Sequence, residues 1–169
     1  MKNKMHLEFK RLTQVSLDSI IELNNHPLVL RQMPLGSPDF DREKCQMWVT
    51  QKDSQWEMFG YGPWAFMIDG RFAGWGGLQY EDGDADLALV LHPNYWGTGK
   101  IICDRIIQQA FTEMHLESIT ILLPLTRSAN KAISRYGFQP DGEVIFDEVK
   151  FRRFRLFANH ALEANGDGY

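Results

Sequence analysis

The hydrophobic pattern of this chain changes period abruptly near its middle, and that change limits what the chain can fold into. From Asp86 to His92 the residues run Asp-Leu-Ala-Leu-Val-Leu-His, a short strand pattern with Leu87, Leu89 and Leu91 on one face and Asp86 and His92 on the other. Further on, Ile102, Cys103, Ile106, Ile107, Ala110, Phe111 and Met114 recur at helical spacing, with Asp104, Arg105, Gln108, Gln109 and Glu113 largely opposite. Between the two lies Pro93-Asn-Tyr-Trp-Gly-Thr-Gly-Lys-Ile101. An apolar strand therefore enters an amphipathic helix through a turn that carries two glycines.

The flanking segments read as a mixture of both element types. Leu7 to Leu12 suits an opening strand, and Thr13 or Ser16 starts a helix carrying Leu17, Ile20, Ile21 and Leu23 that Pro27 bounds. Pro34, Gly36 and Pro38 make residues 28–40 a connection or an interrupted helix, after which Asp39 or Asp41 caps a helix through Cys45, Met47, Trp48 and Val49. Two apolar runs, Trp64 to Ile68 and Phe72 to Tyr80, surround Asp69-Gly70, and Glu81-Asp-Gly-Asp84 supplies a second turn. Three consecutive antiparallel strands follow. Ser118 to Leu123 reads as a strand, and Arg127 to Tyr136 as a helix ending at Gly137. Two closing strands, Phe138 to Phe146 and Val149 to Phe157, join near Asp147-Glu148. The expected fold is α+β: a three-layer α/β sandwich whose mixed, mainly antiparallel twisted sheet is flanked by helices. One domain spans residues 1–160, with a tail at 161–169 that carries too little apolar area to require order.

Composition excludes several function classes. A net charge of -4 gives no general field for a polyanion, so nucleic acid is not an expected partner. The local exception is Lys150, Arg152, Arg153 and Arg155 among Phe151, Phe154 and Leu156: it suits a stacking surface or an anionic ligand, and more simply a late strand that packs its apolar residues and turns its basic ones to solvent. Two cysteines and five dispersed histidines, without HExxH or paired CxxC spacing, make neither a disulfide framework nor a metal site. No stretch approaches the roughly 18 apolar residues of a spanning helix, and the first ten residues lack a signal-type apolar segment. The expectation is a cytoplasmic chain with no membrane partner.

The turn itself has a definite chemistry. Gly97 and Gly99 let the backbone pass close to a ligand, the first amides of the following helix can donate to phosphate oxygens, Lys100 adds charge and the Thr98 hydroxyl adds a donor. A diphosphate fits such a turn, and so does a plain helix start with no ligand at all. The run is neither GxGxxG nor GxxxxGK[S/T], which argues against a nicotinamide dinucleotide or a hydrolysed nucleoside triphosphate.

Three phrases, in order, carry a more specific likeness: Gly62-Pro-Trp-Ala-Phe-Met-Ile-Asp-Gly-Arg-Phe-Ala-Gly-Trp-Gly-Gly77, Leu89-Val-Leu-His-Pro-Asn-Tyr-Trp-Gly-Thr-Gly99 and Ser134-Arg-Tyr-Gly-Phe138. The chain resembles the GCN5-related N-acetyltransferase (GNAT) superfamily, in particular the branch that includes ribosomal-protein N-terminal acetyltransferases. The resemblance implies acetyl-CoA as the bound donor, with a strand splayed from its neighbour so that Val90 and Leu91 lie beside the acetyl-pantetheine arm. It implies that the backbone of Trp96, Gly97, Thr98, Gly99, Lys100 and Ile101 surrounds the diphosphate. A second helix near Thr126, with Asn130 one turn on, would pass the other side of the cofactor. The chain departs from the family pattern at three places. Ile101 stands where relatives commonly have a small residue, Thr126 replaces a common amide side chain, and Ile133 stands where many relatives carry a tyrosine proposed to protonate the leaving thiolate. Tyr136, Ser134 or water would then supply that proton.

For a direct transfer, Asp86 is the first candidate for the base that deprotonates the amine and His92 the second. Glu81, Asp82 and Asp84 join Asp86 in a local acidic field suited to a cationic amine, and Trp64, Trp75, Tyr80 and Tyr95 are candidate linings of an acceptor pocket. These residues do not choose among protein amino termini, polyamines, amino sugars and small amino acids. The alternative from another class is a non-catalytic acyl-CoA-responsive or protein-interaction module, and both a monomer and a homodimer fit the sequence.

Overall fold

The computed structural model describes residues 4–33, 36, 39–125 and 131–159. Its elements, in chain order, are β1 (Leu7–Lys10), α1 (Leu17–Asn25), α2 (Pro27–Leu30), α3 (Arg42–Asp53), α4 (Gln55–Phe59), β2 (Pro63–Ile68), β3 (Arg71–Glu81), β4 (Asp84–Leu91), α5 (Gly99–Gln108), β5 (Ser118–Pro124), α6 (Lys131–Tyr136), β6 (Gln139–Phe146) and β7 (Val149–Phe157). The strands form one sheet in the order β1-β2-β3-β4-β5-β7-β6, in which the β4–β5 pair is parallel and every other pair antiparallel. This is the mixed, mainly antiparallel α+β fold that the hydrophobic pattern predicts.

The hairpins follow from their turn residues. Asp69-Gly70 and Asp82-Gly83 both have positive φ at two successive positions, the geometry that matches strand twist. The β6–β7 turn adopts the same form at Asp147 and Glu148 without a glycine, so there the flanking strands impose it. Helix starts are equally local: Ser16 accepts from the Asp18 amide and Asp41 from the Lys44 amide. Gly137, with φ of 95°, ends α6 as the spacing predicts.

Helices cover both faces of the sheet. On one face, Ile20, Leu23, Val29, Cys45 and Val49 from α1, α2 and α3 pack with Ala65 and Trp75. On the other, Ile102, Ile106 and Ile107 of α5 and Ile133 of α6 pack with Leu78, Leu87 and Leu91. The single hydrophobic stripe of α5 is what commits it to that second face.

Four local details differ from the sequence reading. The first strand ends at Lys10, because Leu12 is fully buried in a short 3₁₀ turn. Pro27 does not simply end α1; it starts α2, with the His26 side chain capping it. Residues 55–59 form a further short helix, closed by Gly60 at φ 79°. The helix begun at Gly99 widens into a π turn over Gln109–Glu113. The helical spacing of Ala110, Phe111 and Met114 does not report that change of hydrogen-bond pattern.

Candidate active site

The feature that makes a site is the way β4 leaves β5. Among the described residues, register between them is confined to Asp86 opposite Thr120. Beyond that point β5 stays with β7, Leu122 opposite Arg153, while β4 stays with β3 as far as Leu91 opposite Gly74. A wedge opens between the two parallel strands, and the β4 edge from Ala88 to Leu91 faces it without a strand partner among the described residues.

The closed side of β4 is unusually tight. A Cβ on Gly74 would lie 2.1 Å from the Val90 carbonyl oxygen, and one on Gly76 would lie 2.2 Å from that of Ala88. Glycine is required at both positions for the strands to approach this closely. A bulge at Ala73, where β2 register jumps from Phe66–Gly74 to Met67–Phe72, bends β3 beside the same place.

At the wide end of the wedge lies a cavity of about 360 Å³, lined by Val90, Leu91, Trp96 and Gly99 together with Val29 and Met33 from α2 and the residues after it. Four of the predicted cofactor residues therefore meet there. Val29 and Met33, with their neighbour Gln32, are wall residues that the sequence reading missed. They sit in a proline- and glycine-interrupted stretch whose pattern carries no signal for a site.

The turn between β4 and α5 is a 3₁₀ run over Pro93–Thr98, capped by His92, whose Nδ1 accepts from the Asn94 amide. The Trp96 indole donates to the Leu91 carbonyl at 2.9 Å, tying the turn back to the strand. A Cβ at Gly97 would meet nothing within 4 Å, and one at Gly99 only the Leu89 and Leu91 side chains at ordinary contact distance. The turn therefore presents open backbone at the N-terminal end of a ten-residue helix, which fits a diphosphate group. The two predicted side-chain donors are engaged elsewhere. The Thr98 hydroxyl donates to the Tyr95 carbonyl at 2.6 Å, and the Lys100 ammonium pairs with Asp104 at 3.0 Å. Ile101 is half exposed beside them. Thr126 and Asn130 lie outside the described residues.

The acetyltransferase (GNAT) domain family matches residues 6–139. The chain belongs to the GNAT acetyltransferase family. Solved structures similar to it include a GNAT-family acetyltransferase from Bacillus anthracis (13% identity, 93% of this chain and 96% of that one, TM-score 0.69). An acetyltransferase from Agrobacterium tumefaciens is 16% identical over 92% of this chain and 95% of that one, with a TM-score of 0.71. The spermidine N-acetyltransferase of Vibrio cholerae in complex with CoA and spermine is 15% identical over 94% and 98%, with a TM-score of 0.67. At these identities the likeness shows the fold. No curated protein sequence matches the chain.

Within this GNAT fold the candidate acid–base residues lie in separate places. Asp86 is buried at the narrow end of the wedge, where the Thr120 hydroxyl donates to its Oδ1 at 2.7 Å. Burial pushes its carboxyl up to about 8, with Glu81 and Asp84 adding to the rise and the Thr120 bond opposing it. His92 shares the nominal face of Asp86 but stands six residues along the strand, roughly 20 Å away at the extended rise. It faces Glu22 at 3.7 Å and the His26 ring at 5.2 Å, on the α1 side of the turn. The two are rival bases and not partners. Ser134 is exposed, and Ile133 is buried in the α5-side core. The Tyr136 hydroxyl donates to Asp104 at 2.5 Å and so clasps α6 to α5; burial and that carboxylate both raise it above its ordinary range.

The acidic run divides as well. Asp84 accepts from both terminal guanidinium nitrogens of Arg155, at 2.8 and 3.0 Å, which holds it below the ordinary carboxylate range. Glu81 is raised by burial. Glu81, Asp82 and Asp84 line a second cavity of about 600 Å³ with Thr120, Leu122 and Arg153. Of the late basic run, Arg153 and Arg155 are bound to Asp141, and Arg155 also to Asp84, so these charges are spent within the sheet. Trp64 and Trp75 are core residues, the latter donating to Asn24 at 3.0 Å. Tyr80 stacks on Phe59 at 4.1 Å and lines the second cavity.

Proposed function

We propose that this chain transfers an acetyl group from acetyl-CoA to a primary amine of a cationic small molecule or of a peptide amino terminus. The observation that carries the reading is the wedge: an unpaired β4 edge that runs directly into an open glycine turn at a helix start. Bound acetyl-CoA would supply an activated acyl carbon. Val90 and Leu91 would lie against its pantetheine arm, with an amide of that strand polarising the acyl carbonyl, and the amides from Trp96 to Ile101 would hold the diphosphate. Asp86 is the base: it sits beside the narrow end of the wedge, and its carboxyl, raised to about 8, takes a proton from an ammonium as pH rises through that value. The proton for the departing sulfur comes from water, since Tyr136 is committed to Asp104 and Ile133 has no proton to give.

For the acceptor, the acid-lined cavity beside Thr120 favours a positively charged amine, in keeping with the spermine-bound relative from Vibrio cholerae. The sequence phrases shared with the ribosomal-protein branch support peptide amino termini as the other class to test. The free thiols of Cys45 and Cys103 suit the cytoplasmic setting that we propose for the chain. Incubation with acetyl-CoA and a panel of polyamines, amino sugars, amino acids and peptides should release CoA thiol and yield a product heavier by one acetyl group. The buried Ile133 and the clasped Tyr136 favour a second reading, a non-catalytic acyl-CoA-binding module. Tight CoA binding with no product across the panel would select it, and failure to bind CoA would remove both.

A further inference from the structure

Buried polar side chains are concentrated in one row. Among the described residues, the buried polar and charged ones are Asn24, Gln79, Asp86 and Thr120. Three of these sit side by side across β3, β4 and β5, with Gln79 opposite Asp86 and Asp86 opposite Thr120. At the β3 end the row is continued by Lys52 from the last turn of α3, whose Nζ donates to the Gln79 Oε1. The ammonium lies over two indoles, 5.9 Å from the Trp48 ring centre and 5.6 Å from that of Trp75. Desolvation lowers this lysine below its ordinary range, and the Glu81 carboxylate offsets part of that fall.

An ammonium only donates, so it must take the oxygen of the Gln79 carboxamide; the NH2 is then the end left for the rest of the row. A leucine or methionine at position 52 would fill the same space without the cost of burying a charge. The lysine therefore calls for a role in polarity, and Gln79, which it grips, stands beside Asp86 across the β3–β4 pair.

We propose that Lys52 is a positioning residue for acyl transfer: by gripping the oxygen of Gln79 it leaves only the NH2 end of that side chain to donate to Asp86 when the carboxylate forms, adding to the bond from Thr120 that the structure shows. The proposal rests on the reading of Asp86 as the base. The charged groups around Asp86 do not themselves support its ionisation. Glu81 of β3 and Asp84 of β4 both oppose its ionisation, and Arg155 of β7, opposite Thr120 in register, is committed to Asp84 and Asp141.

The test is an NMR titration of the Asp86 carboxyl carbon in the full chain, assigned with Asp86→Asn and read beside the pH profile of kcat/KM. Lys52→Met should raise the titration midpoint by about one pH unit, and shift the rising limb of kcat/KM with it, about a tenfold loss on its acid side. The KM for acetyl-CoA should not move. Lys52→Arg should recover at least half of the shift, Gln79→Leu should reproduce it, and Lys52→Met in the Gln79→Leu background should add nothing further. An unmoved midpoint in folded Lys52→Met or Gln79→Leu protein, or an undiminished effect of Lys52→Met in the Gln79→Leu background, would overturn the proposal. If Asp86→Asn leaves the rate profile in place while Lys52→Met still moves the carboxyl titration, the base assignment fails and the positioning of Asp86 stands.

Discussion

The two edges of β4 are built in opposite ways. Toward β3 the strand is paired from Asp84 to Leu91, and at Gly74 and Gly76 the approach is so close that a methyl group would strike a carbonyl oxygen. Toward β5 it is registered at Asp86 and then released. The contrast explains how a sheet can offer main-chain groups to a ligand without losing its form. Clamping one edge removes the freedom of the strand to swing, so the amides on the other edge keep a fixed direction. The clamp is made of glycines and the opening ends on buried polar side chains, so the two edges should fail in different ways.

The largest effect should come from the clamp. Gly76→Ala places its methyl against the Ala88 carbonyl and should cost about 3 kcal/mol or more of stability, visible as a large fall in Tm with acetyl-CoA binding lost along with it. A variant of wild-type stability would show that the tight edge can relax and that the contrast is false. Next comes the narrow end of the wedge. Asp86→Asn should lower kcat about 100-fold and change the Kd for acetyl-CoA little, and it should abolish the rise of kcat/KM with pH through about 8.

The same variant has a signature in stability. Because the folded carboxyl is raised from 3.8 to about 8, its contribution is fully present below about pH 4 and is lost as pH rises through 8. Asparagine carries no such loss, so the variant should gain stability relative to wild type across that window in pH-dependent chemical denaturation. A constant difference between the two proteins would mean that Asp86 is ionised in the fold.

At the turn, Gly97→Val adds bulk where no described residue lies within 4 Å of a Cβ, and it should weaken CoA binding about tenfold by calorimetry while Tm stays within a degree or so. Equal affinity would move the diphosphate away from this turn. The smallest effect belongs to the α5–α6 clasp: Tyr136→Phe should cost roughly 1 kcal/mol through loss of the Asp104 bond and leave kcat unchanged. A fall in kcat that exceeds the stability loss would restore the tyrosine as the proton donor.

How much of this was legible beforehand differs from element to element. Asp69-Gly70 and Asp82-Gly83 announce their hairpins because two positive φ angles in succession are easiest for that pair of residues. Asp147-Glu148 makes the same turn and announces nothing by itself. The glycines at 97 and 99 mark the turn that opens onto the wedge, whereas α2, the source of Val29 on the cavity wall, hides in a stretch of breakers. The alternation of β4 correctly places Asp86 opposite the three leucines. It cannot say that both faces are covered, which is why a residue pictured in an acidic surface field is buried with a raised carboxyl.

By itself the sequence determined what depends on neighbours a few residues apart: turn geometry, helix caps, the change from strand to helix period, and the glycine-bearing entry to α5. The tertiary structure decided the wedge, the ion pairs that absorb Asp84 and Arg155, the commitment of Tyr136 to Asp104, and the row from Lys52 through Gln79 and Asp86 to Thr120. The bonds Lys52–Gln79, Tyr136–Asp104, Thr120–Asp86 and Arg155–Asp84 join residues 27 to 71 positions apart. Burial and partnership at that range are set by which surfaces meet when the helices close over the sheet, and local periodicity carries no record of it.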